Sequence, residues 1–166
     1  MNTRIVYKEA FSVIGKMGMG PAGEPGKWIL PLWDSANAGF KEIASLIRYD
    51  EKGNPAGLWG AMNDVDEQNK RWGEYGKYMA GCEAEPHAEA PEGWSKWVTP
   101  AQTYLVVDCT LTGYGEVFEK MTSNKELTIV GTVHERYPEP GNPEKIELYF
   151  PIASGTEPVT GLNIGF

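Results

Sequence analysis

Residues 145–152 alternate between two kinds of side chain, a pattern that is typical of a β-strand. One face carries four large apolar residues, Ile146, Leu148, Phe150 and Ile152. The opposite face carries Glu147 and Tyr149, followed by Pro151. If helices cover the apolar face, Glu147 and Tyr149 look together into the other, concave side of the sheet. Most acids on strands simply face water, so this pair gains meaning only from the rest of the chain.

The first half of the chain predicts the order strand, helix, strand, strand. Residues 4–16 are typical of a strand that bends near Glu9, and a loop rich in glycine and proline follows it. Residues 27–47 place apolar side chains at steps of three and four, which predicts an amphipathic helix. Its stripe consists of Trp28, Leu32, Ala36, Phe40, Ile43 and Ile47. Residues 57–63 and 75–85 then predict two strands.

The second half repeats that order. Its elements are a strand at 102–109, a helix at 110–125 and strands at 129–137 and 145–152. The acidic, proline-rich segment 86–93 separates the two halves. The chain is therefore predicted to be a duplicated βαββ unit, with pseudo-repeats at about residues 1–85 and 94–152.

Two such units placed side by side predict an α+β domain. They form one antiparallel sheet with two helices on one face and a ligand groove on the other. Both halves line this groove if side chains alternate between the two faces along each strand as predicted. The residues expected in it are Glu147 and Tyr149, Tyr137 or Glu135 from the neighbouring strand, and Trp59 with Asn63 from the first half.

The composition is that of an ordinary globular protein. Of 166 residues, 41% are hydrophobic and 23% are charged, and six Trp and eight Tyr are many for this length. Such aromatic residues suit a core and the walls of a cavity equally well. The net charge of -8 argues against nucleic-acid binding, which needs clustered Lys and Arg. The same acidity suits a cationic partner.

The number and spacing of the cysteines and histidines argue against a redox motif and a metal site. Cys82 and Cys109 lie in strand-like runs rather than in a CxxC motif, which indicates buried thiols of a reduced, cytoplasmic protein. With only His87 and His134, a metal site is not expected. No signal peptide or apolar run of membrane length is evident. The loop after the first strand lacks phosphate-binding motifs and no serine lies in a nucleophile elbow, so no cofactor or catalytic triad is predicted.

Five short stretches together carry a family resemblance. They are residues 11–15 (FSVIG), 32–33 (LW) and 58–63 (LWGAMN), the pair Glu135 and Tyr137, and residues 146–152 (IELYFPI). In this order, the stretches resemble the GyrI-like small-molecule-binding domains, which are the effector-binding domains of AraC-type and MerR-type regulators. The group includes the integron cassette effector-binding proteins. The resemblance extends over nearly the whole chain.

The resemblance implies a single domain over residues 1–166 with an aromatic pocket for lipophilic, cationic or planar compounds and an acid in or under it. The terminal-strand glutamate of the family falls on Glu147 and its aromatic neighbour on Tyr149, while Glu135 and Tyr137 match the preceding strand. Regulators of this group also carry a DNA-binding helix-turn-helix. The sequence shows no such segment, which favours a stand-alone binder without direct nucleic-acid contact.

Three functions remain open at this point. The first is a binding protein for lipophilic cations, in which Glu147 supplies the charge. The second, implied by the resemblance, is a hydrolase of strained cyclopropane-bearing compounds with Glu147 as base and Tyr137 or Tyr149 as proton donor. The third is an adaptor whose aromatic residues form only a core, and a homodimer is left open. The expected walls are Trp33, Trp59, Tyr104, Tyr137 and Tyr149, with Phe11 and Asn63 as further ligand contacts.

Overall fold

The computed structural model describes residues 2–142 and 144–155, and the end of the chain, to which the sequence assigns no element, lies outside them. Eight strands and two α-helices are found in the described part. The strands are β1 (Thr3–Lys8), β2 (Phe11–Pro21), β3 (Leu58–Asn63), β4 (Tyr75–Ala84), β5 (Ser95–Thr99), β6 (Gln102–Cys109), β7 (His134–Arg136) and β8 (Ile146–Ser154). The helices are α1 (Ile29–Gly39) and α2 (Tyr114–Thr122), with short 3-10 helices at Pro25–Lys27 and Phe40–Ile43.

The described strands form one antiparallel sheet in the order β1-β6-β8-β7-β3-β4-β2-β5. This confirms the predicted α+β sheet with two helices. Each predicted βαββ unit is preceded by one further strand, because β1 comes before the first unit and β5 before the second. Each of these strands pairs with the opposite half: β1 with β6, and β5 with β2. The two halves therefore exchange their outermost strands.

Several element boundaries differ from the prediction. The strand predicted at 4–16 is divided at Glu9 and Ala10, where the bend was expected, and β5 was not predicted. The first helix ends at Gly39 rather than continuing to residue 47, because a glycine without a Cβ weakens an α-helix and a 3-10 turn follows. The strand predicted at 129–137 forms ladder pairs only over His134–Arg136.

The sheet curls because its connections are short. Only Glu9 and Ala10 join β1, at one edge, to β2, which is the last strand but one at the opposite edge. Two linking residues span at most about 11 Å. That is far less than the width of a flat sheet of this size, in which each strand adds about 4.8 Å. The two edges therefore approach each other, and one face of the sheet is concave.

The concave face is filled by the protein's own side chains. Phe11 and Trp59 pack with tilted rings whose centroids are 4.9 Å apart, and Tyr149 packs edge-on against Trp59 at 4.9 Å and against Tyr104 at 5.3 Å. None of the buried residues in this cluster is more than 7% exposed. We call it the concave core: Phe11, Val13, Trp59, Ala61, Met79, Tyr104, Val106 and Tyr149. The sequence predicted the ligand groove on this face. In the structure the concave core packs here, and the cavity described below lies on the other face.

Both helices lie on the convex face. In one cluster, Met121 of α2 is buried with Leu148 and Phe150 of β8. In another, Ala36 of α1 is buried with Tyr78 of β4. The prediction that the apolar face of β8 lies beneath a helix is confirmed.

Two further expectations concern thiols and membranes. Cys82 and Cys109 are free thiols in β4 and β6, the first buried and the second half-buried. In the part of the chain that the structure describes, neither helix has the length and apolar character needed to cross a bilayer.

Candidate ligand-binding site

A cavity of about 650 Å³ lies between the two helices and the convex face of the sheet. Small-molecule sites in proteins commonly measure about 300–1,000 Å³, so a drug-sized compound fits. Leu30, in the first turn of α1, and Leu111, three residues before α2, are 63% and 61% exposed and mark the mouth. The larger apolar lining residues are Ile29, Leu30, Trp33, Trp72, Leu111 and Phe118.

Glu135 supplies the carboxylate of this cavity. It is the central residue of β7 and lies opposite Gly60 of β3 and Leu148 of β8, which turns its side chain toward the helices. The residue is only 7% exposed. A Cβ added to Gly60 would lie 2.0 Å from the Tyr78 hydroxyl and 2.4 Å from Glu135 Oε1. Glycine at position 60 is therefore what allows the carboxylate and this phenol to meet.

Three tyrosine hydroxyls donate hydrogen bonds to Glu135. Tyr78 and Tyr137 donate to Oε1 at 2.5 Å and 2.9 Å, and Tyr114 donates to Oε2 at 2.5 Å. Tyr78 comes from the first half of the chain, and the other two come from the second. A carboxylate accepts about four hydrogen bonds, so Oε2 retains one acceptor position.

The electrostatics of this group follow from its burial. Loss of solvation raises the pKa of Glu135, and the three phenol hydrogen bonds act in the opposite direction. Burial and the charge of Glu135 raise the pKa of Tyr78 and Tyr114 well above the usual range, so both hydroxyls keep their protons. Among the described residues, no cation contributes to the pKa shift of Glu135. When ionised, the carboxylate thus places an unneutralised negative charge at the base of the cavity.

Trp33 connects the aromatic wall to the carboxylate. Its indole Nε1 donates to the Tyr78 hydroxyl at 2.8 Å, and its ring stands edge-on to Tyr137 with centroids 5.2 Å apart. The indole is held in place by both contacts. Residue 33 therefore presents a fixed, flat apolar surface beside a negative charge, an arrangement that suits aromatic cations.

The structure separates the predicted site residues into two groups. Three of them line the cavity: Trp33, Glu135 and Tyr137. Four others lie in the concave core on the opposite face: Phe11, Trp59, Tyr104 and Tyr149. The register between β7 and β8 explains this separation. Glu135 lies directly opposite Leu148, and Arg136 lies directly opposite Glu147. Glu135 and Glu147 therefore point to opposite faces of the sheet, although one groove was predicted for both.

Asn63 is also outside the cavity. Its Oδ1 accepts the backbone N–H groups of Asp64 at 3.0 Å and Asn69 at 2.8 Å. Both contacts lie within the loop that follows β3. The side chain predicted to contact a ligand is thus used to order that loop.

Glu147 belongs to an ion-pair network rather than to the cavity. Its Oε2 pairs with Arg4 and its Oε1 with Arg136 at 2.6 Å, while Arg4 also pairs with Asp108 at 2.9 Å. The negative charge of Glu147 is therefore neutralised by the protein itself. The hydrolase hypothesis placed Glu147 beside Tyr137 or Tyr149. The structure does not bring Glu147 to the cavity that Tyr137 lines.

The chain matches one protein family over most of its length. Residues 4–152 match Cass2, described as an integron-associated effector binding protein. The chain belongs to this family. In this Cass2 chain the matched region begins in β1 and ends in β8, so it includes both helices and every strand that borders the cavity. The predicted resemblance to effector-binding domains is confirmed.

Solved structures share the fold of this Cass2 chain at low sequence identity. SAV2435, solved with bound tetraphenylphosphonium, is 14% identical with a TM-score of 0.69, and the match covers 92% of this chain and 94% of SAV2435. The Vibrio cholerae integron cassette protein VCH_CASS2 is 13% identical with a TM-score of 0.60, over 90% and 95% of the two chains. The C-terminal domain of EcmrR is 14% identical with a TM-score of 0.56, over 92% and 98%. A comparison with curated protein sequences gives no significant match.

Two of the three hydroxyls at Glu135 were not predicted as site residues. Tyr78 lies in β4 and Tyr114 at the start of α2, and each had the pattern of a core residue. A usable signal was present in both, because a buried tyrosine hydroxyl needs a hydrogen-bond partner. Both tyrosines lie on apolar faces that pack between sheet and helix, where an acid is the natural acceptor. This Cass2 chain supplies that acceptor at position 135.

The change Glu147→Gln is expected to lower the free energy of unfolding by about 1–2 kcal/mol without changing ligand affinity. Arg4 and Arg136 each lose a charged partner, whereas the cavity on the other face keeps its lining. Urea unfolding and calorimetric titration of the same variant check both parts. A loss of ligand affinity in a folded Glu147→Gln variant would instead support the original prediction for Glu147.

Proposed function

We propose that this Cass2 chain binds lipophilic aromatic cations in the cavity at Glu135. The observation that supports this most directly is a buried carboxylate with no cationic partner among the described residues. An ionised acid loses solvation on burial, and a bound cation compensates for that loss. The faces of Trp33 and Tyr137, which line the same cavity, add cation-π attraction of about 0.5–2 kcal/mol each.

A broad ligand range follows from the chemistry of the walls. Flat apolar surfaces provide contact area without many directional hydrogen bonds, so ligands of different outline are accepted. SAV2435, which has the same fold, was solved with tetraphenylphosphonium, a lipophilic cation. We therefore propose that several unrelated aromatic cations bind here. A cytoplasmic location of the binder stays a prediction.

The test compares two ions of the same shape and opposite charge. Tetraphenylphosphonium and tetraphenylborate both carry four phenyl groups, and calorimetric titration in sodium buffer measures the affinity of each. We expect saturable binding of one phosphonium per chain, and affinity for the borate about 100-fold weaker or worse, because a carboxylate repels it. Equal affinity for both ions would show an apolar site without charge selection. If neither ion binds, the proposal is wrong.

A further inference from the structure

Arg71 is a second charged residue in the lining of the cavity. It is exposed, and among the residues that the structure describes its guanidinium has no salt-bridge or hydrogen-bond partner. The other three arginines are ion-paired: Arg4 with Asp108 and Glu147, Arg48 with Glu83, and Arg136 with Glu147. Arg71 is thus the one arginine of the described residues that lines the cavity and has no acidic partner. Its position at a ligand cavity suggests that the partner is part of the ligand.

The backbone on either side of Arg71 is fixed. The Asp64 carboxylate accepts the backbone N–H groups of Gln68 at 2.7 Å and Lys70 at 3.1 Å. On the other side, the Trp72 indole donates to the Lys77 carbonyl at 3.1 Å. The guanidinium thus extends from an anchored segment, so its reach is limited to one part of the cavity.

Arg71 and Glu135 enter the cavity from different segments of its lining. The carbonyl of Asn69 accepts the backbone N–H of Thr132 at 3.1 Å, which places the 69–71 segment beside Thr132. Thr132 precedes Glu135 by three residues, and the backbone between them spans at most roughly 10 Å. The lining of the cavity therefore carries a buried acid, Glu135, and an exposed base, Arg71.

Building on the proposed function, we propose that the preferred ligands are zwitterions: aromatic compounds with a cation that approaches Glu135 and an anionic group that pairs with Arg71. A ligand with a cation alone is attracted by Glu135 but slightly repelled by Arg71, whereas a zwitterion matches both charges. Arg71 is exposed, so its contribution is modest, about five-fold in affinity. Arg71 is in this sense a specificity-determining residue.

The test uses three phosphonium compounds that differ only at the end of one chain. They are (4-carboxybutyl)triphenylphosphonium, its methyl ester and pentyltriphenylphosphonium, and the flexible chain lets the carboxylate reach toward Arg71. We expect the carboxylate to bind about five-fold more tightly than the ester, and Arg71→Gln to abolish this difference without weakening binding of the pentyl compound. The matched control is Lys70→Gln, which removes a positive charge from the adjacent residue outside the cavity lining. It should leave the difference intact.

The possible outcomes separate this inference from the proposed function. If all three compounds bind equally, or if Arg71→Gln weakens all of them alike, the zwitterion inference is wrong while the cation site stands. If Lys70→Gln abolishes the preference as Arg71→Gln does, the preference reflects overall charge, and the inference is also wrong. If none of the three binds, the proposed function itself fails. Circular dichroism of both variants confirms that the exposed substitutions leave the fold unchanged.

Discussion

Tetraphenylphosphonium is expected to bind the Glu135→Gln variant about 100-fold more weakly than it binds the unchanged protein, a loss of about 2.8 kcal/mol. Glutamine is nearly isosteric with glutamate, and its amide oxygen still accepts the hydrogen bonds of Tyr78 and Tyr137. The Tyr114 hydroxyl, which donates to Oε2 in the unchanged protein, can turn to accept a hydrogen bond from the amide nitrogen. The shape of the cavity is therefore retained while its negative charge is removed. Because the carboxylate is desolvated, its attraction for a cation is strong, and calorimetric titration measures how much of it is lost.

The Glu135→Gln variant should be at least as stable as the unchanged protein. Burial raises the pKa of Glu135, which means that the folded state opposes ionisation, and a neutral amide avoids that cost. The matched control is Glu147→Gln, the same chemical change at an acid on the opposite face of the sheet. An equal loss of affinity in both variants, or no loss in Glu135→Gln, would contradict the assigned role of Glu135.

The pH dependence of binding provides a further check on Glu135. Only the ionised carboxylate attracts a cation, and its pKa is raised above the ordinary value of 4.5. Affinity for tetraphenylphosphonium should therefore decrease as the pH falls through this raised pKa. The Glu135→Gln variant, which has no proton to gain at this position, should show no such decrease.

The parts of the fold that depend on neighbours in the sequence could be predicted. Alternation along β8 placed Leu148 and Phe150 on the face that α2 covers, and they are buried there with Met121. Spacing by three and four residues identified α1, whose Ala36 is fully buried. The duplicated order of these elements was then enough to predict one antiparallel sheet with two helices.

The side of the sheet that carries the cavity could not be predicted in the same way. It depends on how β1 and β5 pair with the opposite halves and on the curl that their short links impose. The face on which Glu135 lies also depends on strand pairing, since Glu135 lies opposite Leu148 and not opposite Glu147. The role of Glu147 is set by Arg4, which is 143 residues away in the chain. Local patterns contain no information about these pairings.

His134 is expected to make the protein less stable in acid, by about 3 kcal/mol at pH 4. The side chain is 2% exposed, and its ring lies edge-on against Phe11, Trp59 and Tyr104 of the concave core. Burial lowers the pKa of His134 from the ordinary 6.5 to about 4. Between these two values the unfolded chain binds a proton that the folded chain does not, so acid favours unfolding. Above pH 6.5 the effect is absent.

A hydrogen bond to His134 also predicts that the protein is less stable in acid. The backbone N–H of Met62 donates to His134 Nδ1 at 3.2 Å, so the neutral ring carries its proton on Nε2. If Nδ1 were protonated, its N–H would point at the backbone N–H of Met62, and two hydrogen-bond donors would be in contact in a buried site. Urea unfolding at pH 7 and pH 4 should therefore show a fall in stability that is about 3 kcal/mol smaller in His134→Gln than in the unchanged protein.

The comparison with His134→Gln isolates the contribution of one group from those of the carboxylates in the chain. His87, which is exposed, provides the control: His87→Gln should show the same fall in stability as the unchanged protein. If His134→Gln and the unchanged protein lose equal stability on acidification, the ring is protonated without cost in the folded state. Because the buried ring packs between three aromatic residues, such a result would require the concave core to open and admit water at pH 4.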